Sequence, residues 1–233
     1  MSDSKDSIRN TFIVAVGVSL VCSVLVSAAA VMLKPQQERN ERLFRQRIVL
    51  EVAGLYEPGA DIEERFAAID VRHVELGTGD YLEPDALEGS AGYAEVFLVR
   101  DGDAIEQVIL PVSGPGLWST MYGYLAVEPD GTTVRGLRFY EHAETPGLGD
   151  QMDKPDWQAL WPGKQLYDEA GNERIEIVRG KAPDGPDSMY QVDGMSGATL
   201  TGRGISNFLR DAVGPDELGP YLERIAARAT TNE

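Results

Sequence analysis

Between Thr11 and Leu33 the chain runs for 23 residues without a charge (TFIVAVGVSLVCSVLVSAAAVML). As a helix rising ~1.5 Å per residue this run reaches ~35 Å, enough to cross a ~30 Å hydrocarbon core with modest tilt. Two readings compete. Lys5 and Arg9 resemble the basic start of a signal peptide, and Ala28-Ala29-Ala30 fits a small-residue cleavage site. Apolar character continues past that site through Val31, Met32 and Leu33, which favours an uncleaved anchor. Cys22 lies mid-segment as a small apolar filler, and as the single cysteine it forms no internal disulfide.

Charge divides the chain at this segment. Up to Arg47 there are seven basic side chains (Lys5, Arg9, Lys34, Arg39, Arg42, Arg45, Arg47) against four acidic ones. That excess of three positives leaves minus twenty on the remainder of a chain whose net charge is -17. A body this acidic repels nucleic-acid phosphates, so no nucleic-acid partner is expected. With two histidines and one cysteine, no Cys/His zinc cluster can be assembled, and no metal site is expected. Five of the seven basic residues follow the apolar run, so the positive-inside rule would keep that side in the cytoplasm; long domains are nevertheless exported against it.

The remainder reads as α+β. After Pro35, Leu43, Ile48, Val49, Val52 and Leu55 recur near helical spacing, predicting a helix that stops at Gly54 or Pro58. Strands are predicted over 67–76, 91–99 and 106–112, the last ended by Ser113-Gly114-Pro115-Gly116. A hairpin joins 122–127 to 134–140 through an Asp130-Gly131 turn, and a second joins 165–167 to 174–178. A short helix over 156–160 and closing helices over 204–213 and 216–227 complete the pattern. Hairpins with helices at the two ends imply a mainly antiparallel sheet with flanking helices.

Small residues and hydroxyls concentrate in Asp193-Gly194-Met195-Ser196-Gly197-Ala198-Thr199-Leu200-Thr201, just ahead of the helix expected near Gly204. Three readings are open. The segment is a turn with a helix cap. Alternatively, its glycines and the free N–H groups of the helix start receive a phosphate or another anion. Finally, Gly194-Met195-Ser196-Gly197-Ala198 approximates a G-x-S-x-G nucleophile elbow, but both histidines, His73 and His142, precede Ser196, whereas an elbow hydrolase needs one after it.

The block DGMSGATLT resembles the flavinylation motif of the C subunit of the sodium-translocating NADH:quinone reductase and its ferredoxin-linked (Rnf) relatives. His142-Ala143-Glu144-Thr145-Pro146-Gly147-Leu148-Gly149 and Gly114-Pro115-Gly116-Leu117-Trp118 resemble two further segments of that family, in the same order. The resemblance implies one FMN esterified through its phosphate to Thr199 by a flavin transferase that uses FAD. It implies Asp193, Ser196, Gly197 and Ala198 around the link, and Glu144, Thr145, Gly147, Leu148, Leu117 and Trp118 at the flavin, with Arg179 and Lys181 balancing phosphate charge. No catalytic side chain is implied, since the redox chemistry belongs to the cofactor.

The implied layout is a cytoplasmic N-terminus (1–10), a transmembrane helix (11–33), a linker helix (34–60), a periplasmic FMN-binding domain (61–229) and a tail (230–233), set in a bacterial inner membrane. The implied function is electron relay inside a multi-subunit enzyme whose activity pumps sodium. Alternatives are the FMN subunit of the Rnf ferredoxin:NAD oxidoreductase and a membrane-tethered binding or assembly protein without flavin.

Overall fold

A computed structural model describes residues 4–90 and 92–231. The chain divides into two units, one up to Phe44 and one from Arg45 onward.

The first unit is helical throughout its described part. It belongs to α1 (Ser4–Val52), whose apolar stretch has a mean hydropathy of 2.5 and is long and apolar enough to cross a membrane. Phe12, Leu20, Leu25 and Val31 are all exposed on it. The 34–60 segment is not a separate linker helix: α1 passes through Pro35, which removes one N–H from the ladder without ending it, and stops at Val52. The stop is a Schellman cap. Gly54 sits at φ 72, Leu55 N–H donates to Leu50 O at 2.8 Å, and Gly54 N–H donates to Glu51 O at 3.1 Å. The expected stop at Gly54 is therefore met.

In the second unit a short helix, α2 (Ile62–Phe66), is capped by Asp61, whose side chain accepts from Glu64 N. Six strands follow: β1 (Asp70–Glu75), β2 (Tyr81–Leu82), β3 (Tyr93–Asp101), β4 (Ala104–Pro115), β5 (Thr120–Val127) and β6 (Val134–Glu141). They form one antiparallel sheet in the order β2-β1-β3-β4-β5-β6. The strand expected from residue 67 begins only at Asp70, because 67–69 complete the turn after α2; its neighbour begins at Tyr93, and residue 91 lies outside the described residues. The β5–β6 turn is the expected one: Gly131 has φ 73, and Asp130 Oδ1 accepts from Thr132 N and Thr133 N.

Both faces of this sheet are covered, which is why its strands read as near-continuous apolar runs. Val96, Leu98, Val108, Leu110, Leu125 and Val127 share a core with two C-terminal helices, α4 (Thr199–Ala212) and α5 (Gly219–Thr231). Alternating with them, Phe97, Val99, Ile109, Tyr124 and Ala126 pack with Ile48, Val49, Leu50 and Val52 from the last turns of α1. The period of two along each strand thus assigns alternate side chains to different cores.

Three expectations are corrected. β4 does not end before Ser113 but continues through Gly114 and Pro115, paired with Met121 and Thr120 of β5. The second hairpin is reduced to one antiparallel bridge, Tyr167 with Glu173; beyond it β7 (Glu176–Ile177) pairs in parallel with β8 (Gln191–Val192). Finally, α4 starts at Thr199, five residues before Gly204, and α5 starts at Gly219. The short helix α3 (Pro155–Gln158) stands close to its expected place. Of the expected tail 230–233, Thr230 and Thr231 end α5, and the last two residues lie outside the described residues.

Candidate functional site

The packing of α4 on the sheet brings three loops together at one end: 116–119 after β4, 142–149 after β6, and 193–198 after β8. Glycine makes the approach possible. A Cβ on Gly114 of β4 would stand 2.2 Å from Phe208 Cβ of α4, and one on Gly204 of α4 would stand 2.5 Å from Pro115 O. Each element gives up a side chain so that the other can lie against it.

Glu144 ties the loops. It is only 5% exposed, yet both carboxylate oxygens are used. Oε1 accepts from Leu117 N at 2.8 Å and Trp118 N at 3.2 Å, and Oε2 accepts from the buried Thr201 hydroxyl at 2.5 Å. Gly116 and Gly149 crowd against it, since a Cβ on either would fall within 2.7 Å of the Glu144 side chain. A buried carboxylate is tolerable only with such donors. Above this tie, Trp118 Nε1 donates to Thr145 Oγ1 at 3.0 Å, and Gln151 Nε2 donates to both Leu148 O and Ser196 O, at 2.6 and 2.8 Å.

The product is a rim of apolar side chains held from beneath and left open above. Trp118 is 70% exposed, and Leu117, Leu148 and Leu200 are exposed as well. Leu148 packs over Gly197, which sits at φ 77 and where a Cβ would come 2.7 Å from Leu148 Cδ2. Gly147 (φ 79) turns the loop that carries Leu148. Large apolar groups fixed in place yet facing outward fit a flat aromatic ligand.

Thr199 is the first residue of α4 and is exposed. The preceding Ala198 caps nothing with its side chain, so the first N–H groups of the helix have no side-chain acceptor from it. Thr199 borders a cavity of ≈ 350 Å³, whose lining includes Arg179, Arg203, Arg210 and Asn207. Of the two basic residues named from the sequence, Arg179 lines this cavity, whereas Lys181 is exposed outside it. Asp193 is engaged in the loop itself: Oδ1 accepts from Ala182 N at 2.8 Å, and its carbonyl accepts from Trp157 Nε1 at 3.0 Å. Arg203, Arg210, Gln151 and the buried role of Thr201 escape the sequence reading. The signal for Arg203 is its place four residues after Thr199, which becomes meaningful once the helix is known to start there.

The nucleophile-elbow reading finds no support in the histidines. His142 Nε2 lies 2.8 Å from Asp153 Oδ2 and its Nδ1 accepts from Glu144 N at 3.3 Å, so both ring nitrogens are engaged. His73 is on β1, beside Glu95 and Tyr93.

Residues 116–214, the span holding all three loops, match the FMN-binding domain family. The C subunit of the Na(+)-translocating NADH-quinone reductase of Vibrio parahaemolyticus is 40% identical over 258 residues, covering 97% of this chain and 98% of that protein. Its counterpart from Yersinia pestis is 38% identical over 260 residues, covering 98% and 97%. Among solved structures, Shewanella oneidensis NqrC superposes with a TM-score of 0.70 at 32% identity, over 78% of this chain and 96% of that one. The C subunit from Parabacteroides distasonis, at 24% identity, shares the fold with a TM-score of 0.69 over 82% and 96%.

Proposed function

Because the chain belongs to the family formed by the C subunit of the Na(+)-translocating NADH-quinone reductase, we propose that it carries one FMN as a phosphoester on Thr199 and anchors it outside the cytoplasmic membrane. It is an FMN-binding, electron-transferring subunit of that oxidoreductase, and it works with the other subunits of the complex. The observation that carries the covalent reading is the placement of Thr199: an exposed hydroxyl opening α4, between an open apolar rim and an arginine-lined cavity.

Bound FMN supplies one-electron redox chemistry that no side-chain set here provides. The chain's own residues position and shield it. Leu117, Trp118, Leu148 and Leu200 would cover the flat ring, and Thr145, held by the Trp118 indole, would offer it a polar edge, while Glu144 fixes the loops from below. Gly197 and Ala198 leave the Thr199 hydroxyl unobstructed for a flavin transferase that uses FAD, while Asp193 and Ser196 shape the approach to it. Release of FMN by simple dissociation is abolished by the ester, which suits a cofactor held in the periplasm. The apolar part of α1 is the anchor, with the N-terminus inside and the domain on the periplasmic face of a bacterial inner membrane.

The test is co-expression with an active flavin transferase, denaturing electrophoresis, and detection of flavin fluorescence on the band. The expected result is retained fluorescence that Thr199→Ala abolishes with the fold intact, and a mass increase confined to the Thr199 peptide. Retention in Thr199→Ala, at Ser196 or Thr201, would show that another hydroxyl is used. A colourless wild type would favour a membrane-tethered binder without flavin.

A further inference from the structure

We propose that the cavity between α4 and the segment 176–180 is a phosphodiester site in which Arg203 and Arg179 grip the phosphate on Thr199 from opposite walls. This rests on the covalent reading above, which already sets Arg179 near the phosphate, and extends it to Arg203 and to the cavity that the two arginines share.

The cavity, ≈ 350 Å³, is walled on one side by Thr199, Gly202, Arg203, Ser206 and Arg210 of α4, and on the other by Glu176 to Gly180. Its charges do not cancel. Glu176 is matched by Arg210, whose guanidinium lies 3.1 Å from the Glu176 carboxylate and whose Nε donates to Ile175 O at 2.9 Å. Arg179 and Arg203 are exposed, and among the described residues neither has a hydrogen-bond or ion-pair partner. In a chain of net charge -17, two unpaired guanidiniums bordering one cavity make a local reversal of sign.

Position on the helix gives Arg203 its reach. Residues four apart share a face, and helical side chains lean toward the N-terminus, so Arg203 leans back over Thr199. Arg179 stands on the facing wall because β7 packs against α4. Gly202 permits this, since a Cβ there would stand 3.0 Å from Ile177 Cγ2, and Gly194 permits the chain at Val178 to pass, since a Cβ there would stand 2.1 Å from Val178 O. A phosphodiester presents two non-bridging oxygens and one negative charge, a match for two forked donors.

Two measurements on the full-length chain in detergent test this. In the flavin-loaded protein, the ³¹P resonance of the diester should be displaced from that of the same flavinylated peptide after proteolysis. Arg203→Ala and Arg179→Ala should each move it back, and Arg203→Lys should fall between. In protein made without transferase, titration with inorganic phosphate should be roughly tenfold weaker for each alanine variant, the loss expected for one charge-assisted hydrogen bond. Unchanged resonance and unchanged phosphate affinity in the double alanine variant would overturn the proposal. A wild type that never acquires flavin would instead overturn the Thr199 reading, and the phosphate titration would still decide the cavity.

Discussion

At the scale of single residues, Glu144 has the most consequence per atom. Removing its carboxylate orphans the N–H groups of Leu117 and Trp118 and the buried Thr201 hydroxyl, each costing about 1–3 kcal/mol where water cannot replace the partner. Glu144→Ala should therefore lose about 3 kcal/mol in urea unfolding, while Glu144→Gln, which keeps Oε1 for the two N–H groups, should lose about 1 kcal/mol. In flavin-loaded protein, Glu144→Gln should also raise the flavin midpoint potential, because a negative charge beneath the proposed ring is gone. A potential left unmoved would place the ring elsewhere.

His142 supplies a pH signature of the same loop. Its hydrogen bond to Asp153 raises its pKa above the ordinary value, against burial, which lowers it; the charges of Asp153, Glu144 and Asp150 add to the rise. A raised folded-state pKa means a stabilising contribution that is complete below the unfolded value of about 6.5 and fades as pH climbs through the folded one. Proton NMR of the His142 ring follows this titration, and Asp153→Asn should lower its pKa. Asp70 has the opposite sign. Burial pushes its carboxyl up, but hydrogen bonds from Arg100 and Arg72 hold it below the ordinary value. That stability is present above the unfolded pKa and is lost as pH falls through the folded one, so Asp70→Asn should flatten the acid limb of the stability curve.

Among the elements, α4 shows both what local pattern reveals and what it conceals. Glycine in a helix interior normally costs about 1 kcal/mol relative to alanine, so Gly204→Ala should stabilise if propensity alone counted. Here the added Cβ would meet Pro115 O at 2.5 Å, and the sign should invert: a lower melting temperature, with α4 displaced from β4. The same glycine explains why the sequence places the helix start too late. Gly202 and Gly204 look like punctuation but are packing residues, and the five residues misassigned to a loop hide the relation between Thr199 and Arg203. Strands β3 to β6 are legible because runs such as Val96-Phe97-Leu98-Val99 leave little choice of conformation. What covers their second face is not, since the last turns of α1 are recruited from a segment whose own pattern only says helix. The parallel β7–β8 pair is invisible for a related reason: the two-residue strands are defined by a partner some fifteen positions away, while the local Gly171 turn satisfies only one bridge. For the site, the motif residues are readable one by one. That Glu144 works as a buried tie is a property of three loops meeting, which no single loop records.

For the molecule as a whole, charge and topology pull in different directions. Lys5 and Arg9 precede the apolar run, whereas Lys34, Arg39, Arg42, Arg45 and Arg47 follow it, and counting alone would retain the domain in the cytoplasm. Two features favour export. Long domains are translocated largely regardless of flanking charge, and Arg45 and Arg47 are committed to the domain, over the Tyr140 and Tyr56 rings, so their placement answers to packing. A C-terminal fusion to alkaline phosphatase, which needs an oxidising compartment for its disulfides, should therefore be active, and a fusion to a cytoplasm-dependent fluorescent protein should be dark. Lys5 and Arg9 are then the charges that hold the N-terminus inside, so Lys5→Glu with Arg9→Glu should lower phosphatase output severalfold at constant expression. Substituting Arg39 and Arg42 should do nothing comparable. If instead the fluorescent fusion is bright and the phosphatase inactive, the domain faces the cytoplasm. The flavin on Thr199 would then be exchanging electrons on the opposite side of the membrane from the one proposed.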